Sequence, residues 1–148
     1  MEIEQLQILL ADDDRDDRFL FREALSELPI ATNLETVHDG EQLMSYLSEH
    51  EDNLPDVLFL DLNMPRKNGF ECLTEIKLND KLRHIPVVMF STSYPRDVHY
   101  EQDIIKMLYK IGAQDYIRKP SNFTGLKQAI HDTLLKIENS ASLNNAKK

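Results

Sequence analysis

Cysteine, glycine, proline and basic charge are all in short supply in this chain of 148 residues. A single cysteine, Cys72, excludes an intramolecular disulfide framework and fits a reducing cytoplasm, where it reads as a small residue on a helix. No stretch approaches the length of an apolar membrane span, so no membrane association is expected. The opening MEIEQLQILLADDD has neither a basic n-region nor a cleavage-like site, so no export signal is expected either. Lys and Arg number 17 against 26 Asp and Glu, a formal net charge of −9. That balance argues against binding a nucleic-acid phosphate backbone, which depends on clustered cations. Hydrophobic residues at 41% and charged residues at 29% leave an ordinary globular composition, with length for one core.

Part of the acidity is packed into Asp12, Asp13, Asp14, Asp16 and Asp17. A cluster this dense repels itself unless a cation or basic groups sit nearby. It directly follows Ile8 to Ala11, an apolar run that reads as a buried parallel strand. Helical spacing of Phe19, Leu20, Ala24 and Leu28 predicts a helix from about Arg15 to Leu28, closed by Pro29. Leu34 to Val37 reads as a second strand and Gly40 to Ser48 as a helix. Val57 to Leu60 is the clearest strand, framed by Pro55 and Pro65. A helix over Asn68 to Leu78, capped by Asn68, carries Phe70, Leu73, Ile76 and Lys77 in helical period. Pro86 introduces the strand VVMFS, Val98 to Ile111 is an amphipathic helix stopped by Gly112, and Asp115 to Ile117 is a short strand. The last helix covers Thr124 to Glu138, with Leu126, Ile130, Leu134 and Ile137 along one stripe. Residues 139–148, NSASLNNAKK, read as a polar and disordered tail.

Five strands alternating with five helices predict a doubly wound α/β domain, a parallel sheet with helices on both faces. Ligands of such folds sit outside the carboxyl ends of the strands. Here those ends carry Asp12 and Asp13, then Asp61, then Ser91, then Lys119. Each residue alone has an ordinary reading as a loop acid, turn former or surface charge. Together, each directly after an apolar strand, they describe one crevice. Three carboxylates there need compensation, and hard oxygen ligands suit magnesium, with manganese an alternative. Asp61, alone in its turn, could attack a phosphoryl donor to give an acyl phosphate. The three equatorial oxygens of the transferred group would then need magnesium, the Lys119 ammonium, and the Ser91 hydroxyl or a backbone N–H.

The segments LLADDD, VLFLDLNMPRKNGFE, PVVMFSTS and YIRKP resemble the receiver domains of two-component response regulators, the CheY-like family. The resemblance spans Ile8 to Pro120 and extends through the last helix, giving a receiver domain over residues 1–138. It implies a flavodoxin-like (βα)5 three-layer sandwich with strand order 2-1-3-4-5. It implies that Asp61 is the phosphoacceptor, that Asp13 binds magnesium directly and Asp12 mainly through water, and that Asn63 offers its backbone carbonyl. Ser91 and Lys119 would contact the phosphoryl group, and Tyr116 would turn inward once Ser91 has moved. Asn63 and Ser93 would tune the lifetime of the phosphorylated state, and the Lys119–Pro120 bond would be cis. The implied protein is a cytoplasmic signalling switch rather than an enzyme with an external substrate. A histidine kinase or histidine phosphotransfer protein would supply the phosphoryl group.

Two departures from the family pattern affect output. The stretch between Ser91 and Tyr116 is several residues longer than usual and contains PRDVHYEQD. No DNA-binding or enzymatic domain is expected after the fifth helix, so output is expected through a downstream protein or onward phosphoryl transfer. Homodimerisation through the face of the fourth helix, fifth strand and fifth helix is allowed by their amphipathic character. Three rival readings fit the sequence less well. Asp12, Asp14, Asp16 and Glu23 match an EF-hand spacing, but Asp17 stands where that loop needs glycine. A phosphatase using Asp61 lacks a cap to hold a substrate, and a degenerate receiver would lack site residues that are present here. His38, His50, His84, His99 and His131 are scattered without metal-ligand spacing.

Overall fold

The apolar runs that stop at Asp12 and at Asp61 both become strands. The computed structural model of the chain describes residues 5–92 and 98–146. Its elements are β1 (Leu6–Ala11), α1 (Arg15–Ser26), β2 (Thr32–Val37), α2 (Gly40–Glu49), β3 (Val57–Asp61), α3 (Gly69–Leu78), β4 (Val87–Ser91), α4 (Val98–Ile111), β5 (Asp115–Arg118) and α5 (Phe123–Ala146). All strand pairs are parallel, in the order β2-β1-β3-β4-β5. This is the expected doubly wound arrangement.

Covering both faces of the sheet requires its inner strands to be apolar on both sides. Every residue of β3 and β4 is accordingly buried. One face packs Leu9, Leu58, Leu60 and Met89 against Leu43, Leu47, Leu73, Ile76 and Leu108 of α2, α3 and α4. The other packs Ile8, Leu10, Phe59 and Phe90 against Phe21 and Leu25 of α1 and Ile130 and Leu134 of α5. Cys72 lies in the first of these cores, where burial pushes its thiol up to about 12. It is inert packing rather than a reactive group.

Helix ends follow their local sequence. Asp14 and Asp39 cap α1 and α2, and Asn68 forms a capping box with Glu71 at α3. After α4, Gly112 takes φ 132°, a conformation that glycine adopts without the Cβ penalty. Gly69 matters for a different reason. A Cβ there would lie 2.5 Å from the Asp61 carbonyl oxygen and 2.7 Å from the Leu62 Cα, neither of which can rotate away. Gly69→Ala is therefore expected to cost about 1–3 kcal/mol and to disturb the backbone under Asp61. An unchanged urea midpoint would contradict that packing.

Two expectations need correction. Phe19 and Leu20 do not form the core stripe of α1; they are 60% and 42% exposed, while Phe21, Ala24 and Leu25 are buried. Phe21, Ala24, Leu25 and Leu28 make the complete i, i+3, i+4, i+7 stripe, and adjacent apolar residues at 19 and 20 mimic part of it. The backbone of α5 continues as helix to Ala146, past the boundary expected at Glu138. NSASLNNA contains no proline or glycine, and extending a formed helix costs far less than starting one.

Candidate functional site

Strand register brings the chemistry together. Ala11 pairs with Leu60, so the residues that follow, Asp12 and Asp61, are neighbours at one edge. Asp61 pairs with Phe90 and Ser91 with Arg118, which sets Ser91 and then Lys119 one step further along the same edge. Lys119 N–H donates to the Ser91 carbonyl at 2.7 Å, fixing that step.

Carboxylate oxygens of Asp12, Asp13 and Asp61 all lie within 4.8 Å of one another, the one cluster of potential metal-binding side chains among the described residues. Asp12 and Asp61 are buried and Asp13 is exposed. Lys119 Nζ, largely buried, lies 2.8 Å from Asp12 Oδ2, 2.9 Å from Asp17 Oδ2 and 3.7 Å from Asp61 Oδ2. Asp61 Oδ1 accepts from the Asn63 N–H at 3.2 Å, and Asp12 Oδ1 from the Asp14 N–H at 2.9 Å. Next to the site, Arg66 takes φ 68° in a tight turn where the Lys67 N–H donates to the Pro65 carbonyl at 2.8 Å. Such a left-handed position for a non-glycine residue is the kind of backbone strain that gathers at functional loops.

Burial pushes the Asp61 carboxyl up to about 7, helped by the neighbouring Asp12 charge and opposed by Lys119. Asp12 is raised too, because burial outweighs its hydrogen bond to Lys119. Burial alone would lower the Lys119 ammonium, but its bonds and charge contacts with Asp12, Asp61 and Asp17 hold it above the usual lysine range. One ammonium does not satisfy this many acids. Three clustered carboxylates with this deficit of positive charge fit a hard divalent cation.

The raised carboxyl has a measurable consequence. Native Asp61 holds a proton that the unfolded chain releases near pH 4, so stability falls as pH rises from there through about 7. Asp61→Asn removes the buried charge. In metal-free buffer the variant is expected to match wild type near about pH 4 and exceed it near about pH 8 by about 1–2 kcal/mol. Urea unfolding at the two pH values measures this; a variant weaker than wild type at the higher pH would refute it.

The other expected site residues fall as follows. Ser91 is fully buried at the end of β4, with its hydroxyl donating to the Thr92 carbonyl at 3.0 Å. Tyr116 is half-buried on β5 against the core beneath α4. Asn63 is exposed in the loop after β3. Ser93 lies outside the described residues, as does residue 97 and those between them, which include the start of the unusual segment. The Lys119–Pro120 bond is not cis, since the described residues contain no cis peptide. Trans is the lower-energy form even before proline, and Lys119 reaches its partners from it. The EF-hand reading falls because Asp14 caps α1 and Asp16 stands in its first turn.

Asp17 is the site residue that sequence reasoning missed. It counted as one acid of a cluster, yet it occupies the third position of α1 and grips Lys119. Helical side chains lean toward the helix N-terminus, which here means toward the crevice, and that was the available signal.

A parallel sheet whose strand ends gather an acid pair, a lone acid, a hydroxyl and a lysine defines a receiver-type signalling domain. The response regulator receiver domain family matches residues 8–131, and the chain belongs to that family. Its function is therefore in phosphorelay signalling. It is 37% identical over 123 residues to the response regulator Rcp1 of Synechocystis, covering 80% of each chain. The crystal structure of the phosphorylated cyanobacterial phytochrome response regulator RcpA superposes with a TM-score of 0.74 at 36% identity, covering 86% of this chain and 89% of that one. The Mn2+-bound form of Rcp1 gives 0.71 at 34% identity, with 84% and 88% covered. Receiver domains bind a divalent metal, and they interact with histidine kinases or phosphotransfer proteins. Among the described residues no helix is long and apolar enough to cross a membrane.

Proposed function

We propose that this chain is a cytoplasmic response-regulator receiver that accepts a phosphoryl group on Asp61. The observation that carries the reading is the meeting of Asp12, Asp13 and Asp61 oxygens within 4.8 Å, with Lys119 Nζ 3.7 Å from Asp61. Asp12, Asp13, Asp61 and the backbone carbonyl of Asn63 would hold Mg2+, with Mn2+ an alternative. When bound, that ion neutralises clustered carboxylates and phosphoryl oxygens. In the transfer an Asp61 oxygen forms a bond to phosphorus while the bond from phosphorus to the donor breaks, and the donor leaves with that electron pair. Lys119 brings its positive charge to one phosphoryl oxygen and the Ser91 hydroxyl turns from Thr92 to another. Ser91 then leaves space that Tyr116 can enter, which biases the packing of α4, β5 and α5.

The chain acts catalytically only in its own phosphorylation and dephosphorylation, and Asn63 and Ser93 tune the rates. A histidine kinase or histidine phosphotransfer protein is the donor. Output runs through protein contact at the α4-β5-α5 face, where Met107, Tyr109 and Leu135 are exposed. A second copy of the chain is one occupant that face suits, and size-exclusion chromatography with a phosphoryl mimic tests it. The acceptor chemistry is tested by incubation with acetyl phosphate and Mg2+. Labelling should vanish with chelator and fall roughly tenfold or more in Asp13→Asn; labelling indifferent to both would overturn the reading.

A further inference from the structure

Lys119 spends two of its three donor protons before any phosphoryl group arrives. One goes to Asp12 and the other to Asp17, at 2.8 and 2.9 Å. An ammonium has three protons, so one remains for the Asp61 side of the crevice. Asp12 belongs to the acid pair. Asp17 sits on the first turn of a helix, and an acid there ordinarily does one of two local things: it completes a capping box or complements the helix dipole. The capping-box task is already filled. The N–H of the cap residue Asp14 is taken by Asp12 Oδ1 at 2.9 Å, and the Asp14 side chain accepts from the Asp17 N–H at 2.9 Å. The Asp17 carboxylate is thereby left to reach across to the residue that follows β5.

We infer that Asp17 is a positioning residue for the phosphoryl chemistry: with Asp12 it pins the Lys119 ammonium so that its third proton is presented to the phosphoryl group carried by Asp61. The inference rests on the phosphoacceptor reading and deepens it. Without Asp17, Lys119 hangs from Asp12 alone, and its long stem is free to swing between Asp12 and Asp61. Placement in the transition state suffers, while the acids that hold the metal remain in place.

Asp16 supplies the control. It is also an acid of the first turn, exposed, and makes no bond to Lys119, so Asp16→Asn removes equal helix-dipole charge without touching the ammonium. With acetyl phosphate and Mg2+ both saturating, Asp17→Asn should lower the maximal phosphorylation rate by roughly five- to twentyfold. Asp17→Glu should recover most of it, Asp16→Asn should leave it unchanged, and the Mg2+ dissociation constant should move less than about twofold in all three. Independently of phosphorylation, the 15N resonance of Lys119 Nζ in the metal-free protein should shift in Asp17→Asn but not in Asp16→Asn. An unchanged maximal rate in Asp17→Asn, an equal loss in Asp16→Asn, or a Lys119 resonance indifferent to Asp17 would overturn the inference. Wild-type protein that takes no phosphoryl group would instead overturn the phosphoacceptor reading, and the resonance would still decide whether Asp17 holds Lys119.

Discussion

Replacing Lys119 with methionine is expected to destabilise the metal-free protein by about 3–5 kcal/mol near about pH 8. Methionine keeps the length of the aliphatic stem but not the Nζ, which sits 5.6 Å from the Phe90 ring centroid, so the change is mainly one of charge. What disappears is the cation facing Asp12, Asp17 and Asp61. Asp12 and Asp61 are almost wholly buried and keep few routes to solvent. The loss should shrink near about pH 5, because Asp61, pushed up to about 7 by burial, is neutral there. The sign follows from the protons bound: the native state of the variant holds more than the unfolded chain across this window, so its stability falls as pH rises. Mg2+ should restore more stability to the variant than it adds to wild type, since the ion takes over neutralisation that Lys119 provides. Urea midpoints at two pH values, with and without Mg2+, measure all of this. A pH-independent loss would mean that Lys119 contributes packing and not charge.

The second large effect lies in the core below Asp61. Phe59, fully buried on the same strand, meets Phe21 of α1 edge to face at 5.0 Å, and Phe90 of β4 at 6.3 Å between ring centroids. Phe21 and Phe90 close the triangle at 6.0 Å. Such rings gain from edge contacts beyond their buried area. Phe59→Ala removes the shared member and leaves a cavity that three separate elements cannot all collapse into. The expected cost is about 3–5 kcal/mol, or a fall in Tm of roughly 6–20 °C. A loss below about 1 kcal/mol would show that the cluster relaxes freely, contrary to this packing.

Much of this architecture was legible because several signals agreed. Val57 to Leu60 is apolar throughout, bounded by prolines and ended by an acid, and a strand buried on both faces leaves little else for such a run to be. Asn68 and Gly112 marked helix ends by chemistry that acts locally, a side-chain acceptor in one case and a positive φ in the other. The acids and Lys119 were legible as a site because parallel strands must deliver their carboxyl ends to one edge. Less was legible where two patterns overlap. Phe19, Leu20, Phe21 and Ala24 are four apolar residues within six positions, and period alone does not say which of Phe19, Leu20 and Phe21 faces inward. Packing decides it, and Phe21 finds Phe59 and Phe90. Asp17 stayed hidden for a related reason: five acids in six positions all carry the same charge, and only the fold assigns one to a cap, one to the acid pair's partner lysine and one to solvent.

The most direct test is intact-mass measurement of wild type and Asp61→Asn after incubation with acetyl phosphate and Mg2+. Wild type is expected to gain the mass of one phosphoryl group, stable in acid and lost in base, while Asp61→Asn gains none. An adduct of equal extent in both proteins, or none in wild type even with a phosphorylated histidine donor, would contradict Asp61 as the phosphoacceptor.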